Sequence, residues 1–484
     1  MNVKVISRNV GYALLVSALF MFLSILVSVA NGNDSALAAL MISFTITFIV
    51  GVFPFIFVRK TADISLKDGY MIIVLSWLLS FIFGMLPYAL WGGPFTVVNA
   101  WFESVSGFTA TGASILENVE SLPNSLLFWR ASTHFIGGLG VVVFLLLIIP
   151  SSSQMRLRLT NLELSSLSKR EYRSGSGRTV YIFTYVYLGM AVASFLLYLI
   201  AGMGPLDAVC HAMSVTATGG FSTKNASIGS FNSVPIDLIT MFFMLLSSIH
   251  FGLTYVAIAS RSFKPFKNEI LSFYICSLLI ASVVVSVSLK VEGVEAAWGG
   301  AILSGSFHVL SYASTTGFGI GDNSVWPVLP SAILVFVGIW CGMAGSTTGG
   351  IKSDRALLLC KQIKYHIKNV LHPASVNEVR INRKVVRQED ISTHVLYIAL
   401  YMMLVIISLA VNLVLNPENT NAIAATFTTL SNVGPAIGDL GAVCNFNAEP
   451  VGAKLMYSFN MFLGRVEIYP VLAVVMMFFS KSSK

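Results

Sequence analysis

A chain of 484 residues with 55% hydrophobic and only 11% charged side chains is not a soluble globular protein, which would carry about a quarter charged residues. Its mean hydropathy is +0.79, and its apolar residues fall in runs of about 20, enough to cross a hydrocarbon core of roughly 30 Å. The net charge of +8 lies mostly between those runs, where it orients and anchors a membrane protein, so no nucleic-acid partner is needed to explain it.

In chain order, ten spans are predicted near 9–30, 37–58, 70–91, 126–149, 181–202, 234–259, 269–289, 331–351, 393–415 and 453–479. Ser28-x-Ala30 has the form of a signal-peptidase site, but the apolar run before it is too long for a typical signal peptide, so a retained first helix is expected. With both termini in the cytoplasm, the inside segments are 1–8, 59–69, 150–180, 260–268, 352–392 and 480–484, and they hold 25 of the 30 Lys and Arg residues. That bias fixes the orientation. The five cysteines (Cys210, Cys276, Cys341, Cys360, Cys444) are scattered and form no C-x-x-C pair, which argues against a disulfide framework or a zinc site.

Four short segments between the spans are too hydrophobic for loops and too short to cross: 99–114, 206–222, 299–322 and 421–439. Each has a helix-compatible stretch and then a small, polar, glycine-ended element. The elements are Thr109-Ala110-Thr111-Gly112, Thr216-Ala217-Thr218-Gly219, Ser314-Thr315-Thr316-Gly317 and Ser431-Asn432-Val433-Gly434. Their glycines lie 107, 98 and 117 residues apart, each element flanked by one span on either side. Four such units in register are an internal repeat. The predicted architecture is therefore an all-α polytopic membrane protein. Two N-terminal helices (1–66) precede four span–pore-helix–span units at 67–178, 179–268, 269–392 and 393–484, set around a central pore.

Irregular backbone survives at membrane depth only where it is buried or lines a cavity. Four copies around one axis satisfy that condition together: glycine lets the backbone aim its carbonyls inward, where they replace the hydration shell of a cation. Glu117, Asp322 and Asp439 follow three of the elements and would gather cations at the outer mouth, or serve as ordinary solvated loop acids. His211 and His308, within the pore helices, read as packed or capping residues. Arg130 and His134 read as structural or snorkelling residues at the end of a span.

The third repeat breaks its own second span with CGMAGSTTGGIK, residues 341–352. Ile351 separates Gly350 from Lys352 and no strand precedes the stretch, so it is not a phosphate-binding loop. Four glycines within 342–350 would cost a regular helix about 4 kcal/mol. The stretch either plugs the pore below the filter or makes a close helix contact of the G-x-x-x-G kind. Arg465 sits near mid-membrane in the last span and must face protein or water. It would repel cations and hold the loop, or pair with a carboxylate.

These residues resemble the Trk/Ktr/HKT superfamily of potassium transporters, over essentially the whole chain. The resemblance rests on the TATGA, TATGG, STTGF and NVGP elements, on GSTTGGIK, and on FLGRVEIYPVL at 462–472; the last, with the two extra N-terminal spans, is closest to the TrkH branch. It implies an ion filter at Thr109–Gly112, Thr216–Gly219, Ser314–Gly317 and Ser431–Gly434, with four glycines favouring K+. It implies an intramembrane gate at Gly342, Gly345, Ser346, Thr347, Thr348, Gly349 and Gly350, with Arg465 as the pore arginine. It also implies a homodimer in the bacterial inner membrane and a TrkA-like cytoplasmic nucleotide-binding ring. Segments 151–179 and 352–392 are the basic surfaces available to dock such a ring. K+ is the expected ligand, with no organic cofactor. A Na+- or H+-coupled symporter would favour a second ion site with a carboxylate at mid-membrane, and the sequence offers little beyond Glu103 in the first pore helix and Glu467. An intramembrane enzyme would leave the fourfold register unexplained.

Overall fold

The computed structural model describes residues 1–58, 65–140, 178–373, 378–417, 419, 421–436, 438–441 and 445–481. The end of the span expected at 126–149, most of the linker 151–179, and Cys444 lie outside the described residues. Among the described residues, regular structure is helical except for one antiparallel hairpin of β1 (Arg380–Ile381) and β2 (Lys384–Val385). The first pair, α1 (Val3–Ala30) and α2 (Leu37–Phe57), packs side by side, and α1 also packs on α3 and α6 of the first repeat.

Each repeat then has the same order: a long helix, a short one, and a second span. In the first these are α3 (Leu66–Gly84), continued as α4 (Leu86–Trp91), then α5 (Val97–Phe108) and α6 (Asn124–Leu139). The second has α7 (Arg178–Ile200), α8 (Pro205–Ala217), and α9 (Val234–Ser248) followed by α10 (Phe251–Ser260). The third has α11 (Glu269–Val291), α12 (Trp298–Ala313), α13 (Val328–Trp340) and α14 (Ser353–Leu371). The fourth has α15 (Gln388–Leu415), α16 (Ala422–Ser431), α17 (Val451–Arg465) and α18 (Tyr469–Lys481). The short helices α5, α8, α12 and α16 have 12, 13, 16 and 10 residues. At about 1.5 Å per residue none reaches across a bilayer core.

The polarity is the reverse of a soluble protein's. Ser106, Thr109, Thr111, Thr216, Thr218, Ser314, Thr315, Thr316 and Thr429 are completely buried, while Phe48, Phe53, Val192, Ile280, Ile406 and Val414 are exposed on the outside. Among the described residues six helices are long and apolar enough to cross a membrane. The pairs α9–α10 and α17–α18 meet the same test jointly, but they bend by 104° and 107°.

Those bends correct the continuous spans expected at 234–259 and 453–479. At the first, His250 is extended enough to cap α10 with its own ring, accepting from Gly252 N at 2.9 Å, and Phe251 N donates to Gly345 O at 3.1 Å. At the second, Glu467 and Ile468 both take left-handed φ, +61° and +49°, and Pro470 follows in the first turn of α18, where its missing N–H costs nothing. The third repeat's span also stops short, at Trp340, leaving 341–352 as irregular backbone. A hydropathy window sees apolar side chains and is blind to these backbone breaks.

Candidate ion pathway

The four short helices end in the same three-residue turn. A left-handed residue comes first: Ala110 (φ +50°), Thr218 (+55°), Thr315 (+52°) and Asn432 (+58°). The middle residue's amide returns to the helix, from Thr111 N to Ser106 O, Gly219 N to Ser214 O, Thr316 N to Ser311 O (each 2.9 Å) and Val433 N to Thr428 O (2.8 Å). A glycine with positive φ completes the turn: Gly112 (+84°), Gly220 (+82°), Gly317 (+79°) and Gly434 (+87°).

The second repeat is therefore offset by one residue from the reading TATG. Gly220, not Gly219, matches the other three glycines, and Ala217–Gly220 replaces Thr216–Gly219 as the equivalent element. Two glycines in succession make the sequence ambiguous, and the second takes the positive φ. Thr216 is left at the helix end, where its carbonyl accepts from Thr347 Oγ1 at 3.2 Å.

The four turns form a closed ring. A methyl group on Gly112 would overlap the carbonyl oxygen of Gly219, one on Gly220 that of Thr316, one on Gly317 that of Val433, and one on Gly434 that of Thr111. Each overlapped oxygen belongs to the middle residue of the next repeat, so the sequence runs from repeat 1 to 4 and back to 1. Glycine is thus required twice over, by φ and by the close approach. Hydroxyl side chains of the turns bond locally: Thr109 Oγ1 with Thr111 Oγ1 and Ser314 Oγ with Thr316 Oγ1, each at 2.7 Å. Asn432 Nδ2 donates to Thr111 Oγ1 at 2.9 Å, joining repeats 4 and 1.

The loop 341–352 lies against the inner ends of these helices. Thr347 Oγ1 donates to repeat 2 at Thr216 O, and Gly349 N donates to repeat 3 at Thr315 Oγ1 (3.1 Å). A methyl on Gly349 would overlap Ser431 O of repeat 4. Arg465 completes the set: it donates to Thr347 O (2.6 Å) in the loop and to Gly137 O (2.6 Å) and Gly138 O (2.9 Å) at the end of α6 in repeat 1. Arg465 thus spans one carbonyl of the loop and two at the end of α6.

Both ends of the loop are tied by charge. Asp354, in the first turn of α14, accepts from Ala344 N at 2.6 Å. Glu467, at the break between α17 and α18, pairs with Lys352 (3.2 Å) and Arg355 (2.7 Å), and the Arg355 guanidinium sits 3.8 Å above the Tyr397 ring. Glu103 is likewise committed: it is fully buried and paired with Arg130 at 2.8 Å. Arg130 therefore does not snorkel. Neither pairing is legible in the sequence, although carboxylates such as Glu103 and Glu467 within apolar segments signal that partners must exist. His211 and His308 are buried, and each donates Nδ1–H to the carbonyl four residues back, Asp207 O and Ser304 O. His134 stacks on Phe221 with centroids 4.1 Å apart.

Above the ring, a cavity is floored by Gly112, Gly220 and Gly317 and flanked by Glu117, Arg130 and Lys224. Its wall is of mixed charge rather than an acidic rim. Asp322 instead caps its own loop through Ser324 N, at 2.8 Å, and the side chain of Asp439 lies outside the described residues. Cys210, Cys276, Cys341 and Cys360 are free thiols, and no cluster suited to a resident metal occurs among the described residues.

A family model described as TrkH, cation transport protein, matches residues 36–483. The Trk system potassium uptake protein TrkG of Escherichia coli K12 is 31% identical over 490 residues, 99% of each chain. The corresponding TrkH of Halomonas elongata is 32% identical over 485 residues, 98% of each. The crystal structure of the potassium transporter TrkH from Vibrio parahaemolyticus superposes with a TM-score of 0.86 at 28% identity, covering 98% of both chains.

Proposed function

The chain belongs to the TrkH family of cation transport proteins, and from that premise we propose that it carries K+ and Rb+ inward through the four-repeat carbonyl ring, gated from below by the 342–350 loop. The observation that carries this reading is the closed ring of Thr111, Gly219, Thr316 and Val433 carbonyls, with a loop set against repeats 2, 3 and 4 and linked to repeat 1 through Arg465. Carbonyl dipoles without a formal charge suit a large, weakly hydrated monovalent cation. The two carboxylates that coupling would call on, Glu103 and Glu467, are both paired with cations. That favours passive, gated movement over coupled symport.

The rest of the reading follows the family. The protein works as a homodimer in the bacterial inner membrane with both termini inside, and a TrkA-like nucleotide-binding ring docks on its basic cytoplasmic face. Helix α14 carries Lys361, Lys364 and Lys368 on that face.

Binding in the ring predicts stabilisation by mass action. K+ or Rb+ at a hundred times its dissociation constant adds about 2.7 kcal/mol to the folded state. Thermal unfolding of the purified chain in detergent is expected to shift upward with K+ and Rb+ and much less with Na+ at equal ionic strength. Identical curves in all three salts would refute a selective site.

A further inference from the structure

One equivalent position of the four pore helices carries contrasting chemistry. Glu103, His211, His308 and Ala425 each stand eight residues before the ring carbonyl of their repeat. Three residues after each carbonyl stand Ser114, Ser222, Gly319 and Ala436. In repeats 1 and 2 these positions bond: Ser114 Oγ donates to Glu103 (3.0 and 3.2 Å), and Ser222 Oγ lies 2.9 Å from His211 Nε2. Repeats 3 and 4 have no hydroxyl there to bond.

Arg130 joins the two braced strands. Its guanidinium pairs with Glu103, donates to Ser114 Oγ of repeat 1 (3.2 Å) and to Ser222 O of repeat 2 (3.2 Å), and lies 4.0 Å above the Phe221 ring. Glu103 also accepts from Ile115 N at 3.1 Å. One ion pair therefore holds the strand leaving Gly112 and the strand leaving Gly220. The other strand junctions include Gly229 N to Gly319 O, Tyr312 OH to Ala436 O, and Phe446 N to Ser114 O. The last is joined by Lys454 Nζ on Asn99 Oδ1 (2.9 Å) and Asn447 Nδ2 on Glu117 (2.7 Å), but among the described residues no ion pair of opposite charges forms at these three.

We propose that the Glu103–Arg130 pair is a specificity-determining brace: it fixes the separation of the repeat 1 and repeat 2 strands, and with it the fit of the Thr111 and Gly219 carbonyls to K+ rather than Na+. The physical basis is that a buried, hydrogen-bonded ion pair is rigid and gains most when every lone pair is used. A ring opened or narrowed at one of four junctions loses its preference between two ions of the same charge. Neither residue touches the ion; both act through the strands. The inference rests on the carbonyl-ring reading above.

The test uses the full chain in proteoliposomes and in detergent. Glu103→Gln/Arg130→Met removes both charges, so that neither is left buried alone, and Glu103→Asp keeps the charge but shortens its reach. The double variant is expected to raise the Na+/K+ uptake ratio about tenfold, the factor that one lost charge-assisted hydrogen bond carries. Its thermal stabilisation by K+ should fall toward that by Na+. Glu103→Asp should move both readouts the same way by less. A folded double variant with the wild-type ratio and the wild-type K+ preference would overturn the brace. If the double variant does not fold, an unchanged ratio in Glu103→Asp does so. A wild-type chain that fails to discriminate K+ from Na+ would overturn the carbonyl-ring reading, and the brace with it.

Discussion

Replacing Arg465 with alanine is expected to raise K+ flux through the chain alone by at least about tenfold. Three bonds hold the arginine between the loop and repeat 1, to Thr347 O, Gly137 O and Gly138 O. Bonds from a charged donor contribute about 1.5–3 kcal/mol each, and about 1.4 kcal/mol already shifts an equilibrium tenfold. Removing all three detaches Thr347 of the loop from repeat 1 and removes a fixed positive charge from beside the loop. Arg465→Lys is expected to fall between, because an ammonium is a point charge that does not reproduce the planar fork spanning two segments. Flux of 86Rb+ into proteoliposomes reads the effect. Unchanged flux from a folded Arg465→Ala protein would remove the arginine from gating.

The second large effect is expected at Gly220. Alanine there must hold φ near +82°, which costs about 1–2 kcal/mol, and its methyl would overlap Thr316 O of the neighbouring repeat. The carbonyl is backbone, so relief requires a shift of the whole strand and of the ring position it supplies. Gly220→Ala is expected to cut K+ uptake more than about tenfold and to erase K+-dependent thermal stabilisation, as Gly112→Ala, Gly317→Ala and Gly434→Ala should. Retained uptake with retained stabilisation would place the second repeat's ring position elsewhere and undo the one-residue offset.

Much of this molecule is legible in its sequence because hydropathy and small-residue patterns report what lipid forbids. The membrane class follows from apolar runs, the fourfold repeat from glycine-ended elements, and the broken third span from the glycines of 342–350. What escaped depends on backbone continuity or on distance between elements far apart in the chain. The bends at 249–250 and 466–468 leave the hydropathy profile nearly unchanged, although Pro470 marks the second. The register of TATGG is undetermined when either of two glycines can take the left-handed turn. Glu103 with Arg130, and Glu467 with Lys352 and Arg355, are 27, 115 and 112 residues apart in sequence. Only the rule that buried charges need partners hints at them.

The most direct measurement is K+, Rb+ and Na+ flux into proteoliposomes containing this chain alone, wild type beside a deletion of 345–350. A selective ring above a loop gate predicts larger K+ and Rb+ flux from the deletion, with Na+ still slower in both proteins. Equal flux from the two folded proteins, or Na+ passing as readily as K+, would contradict it.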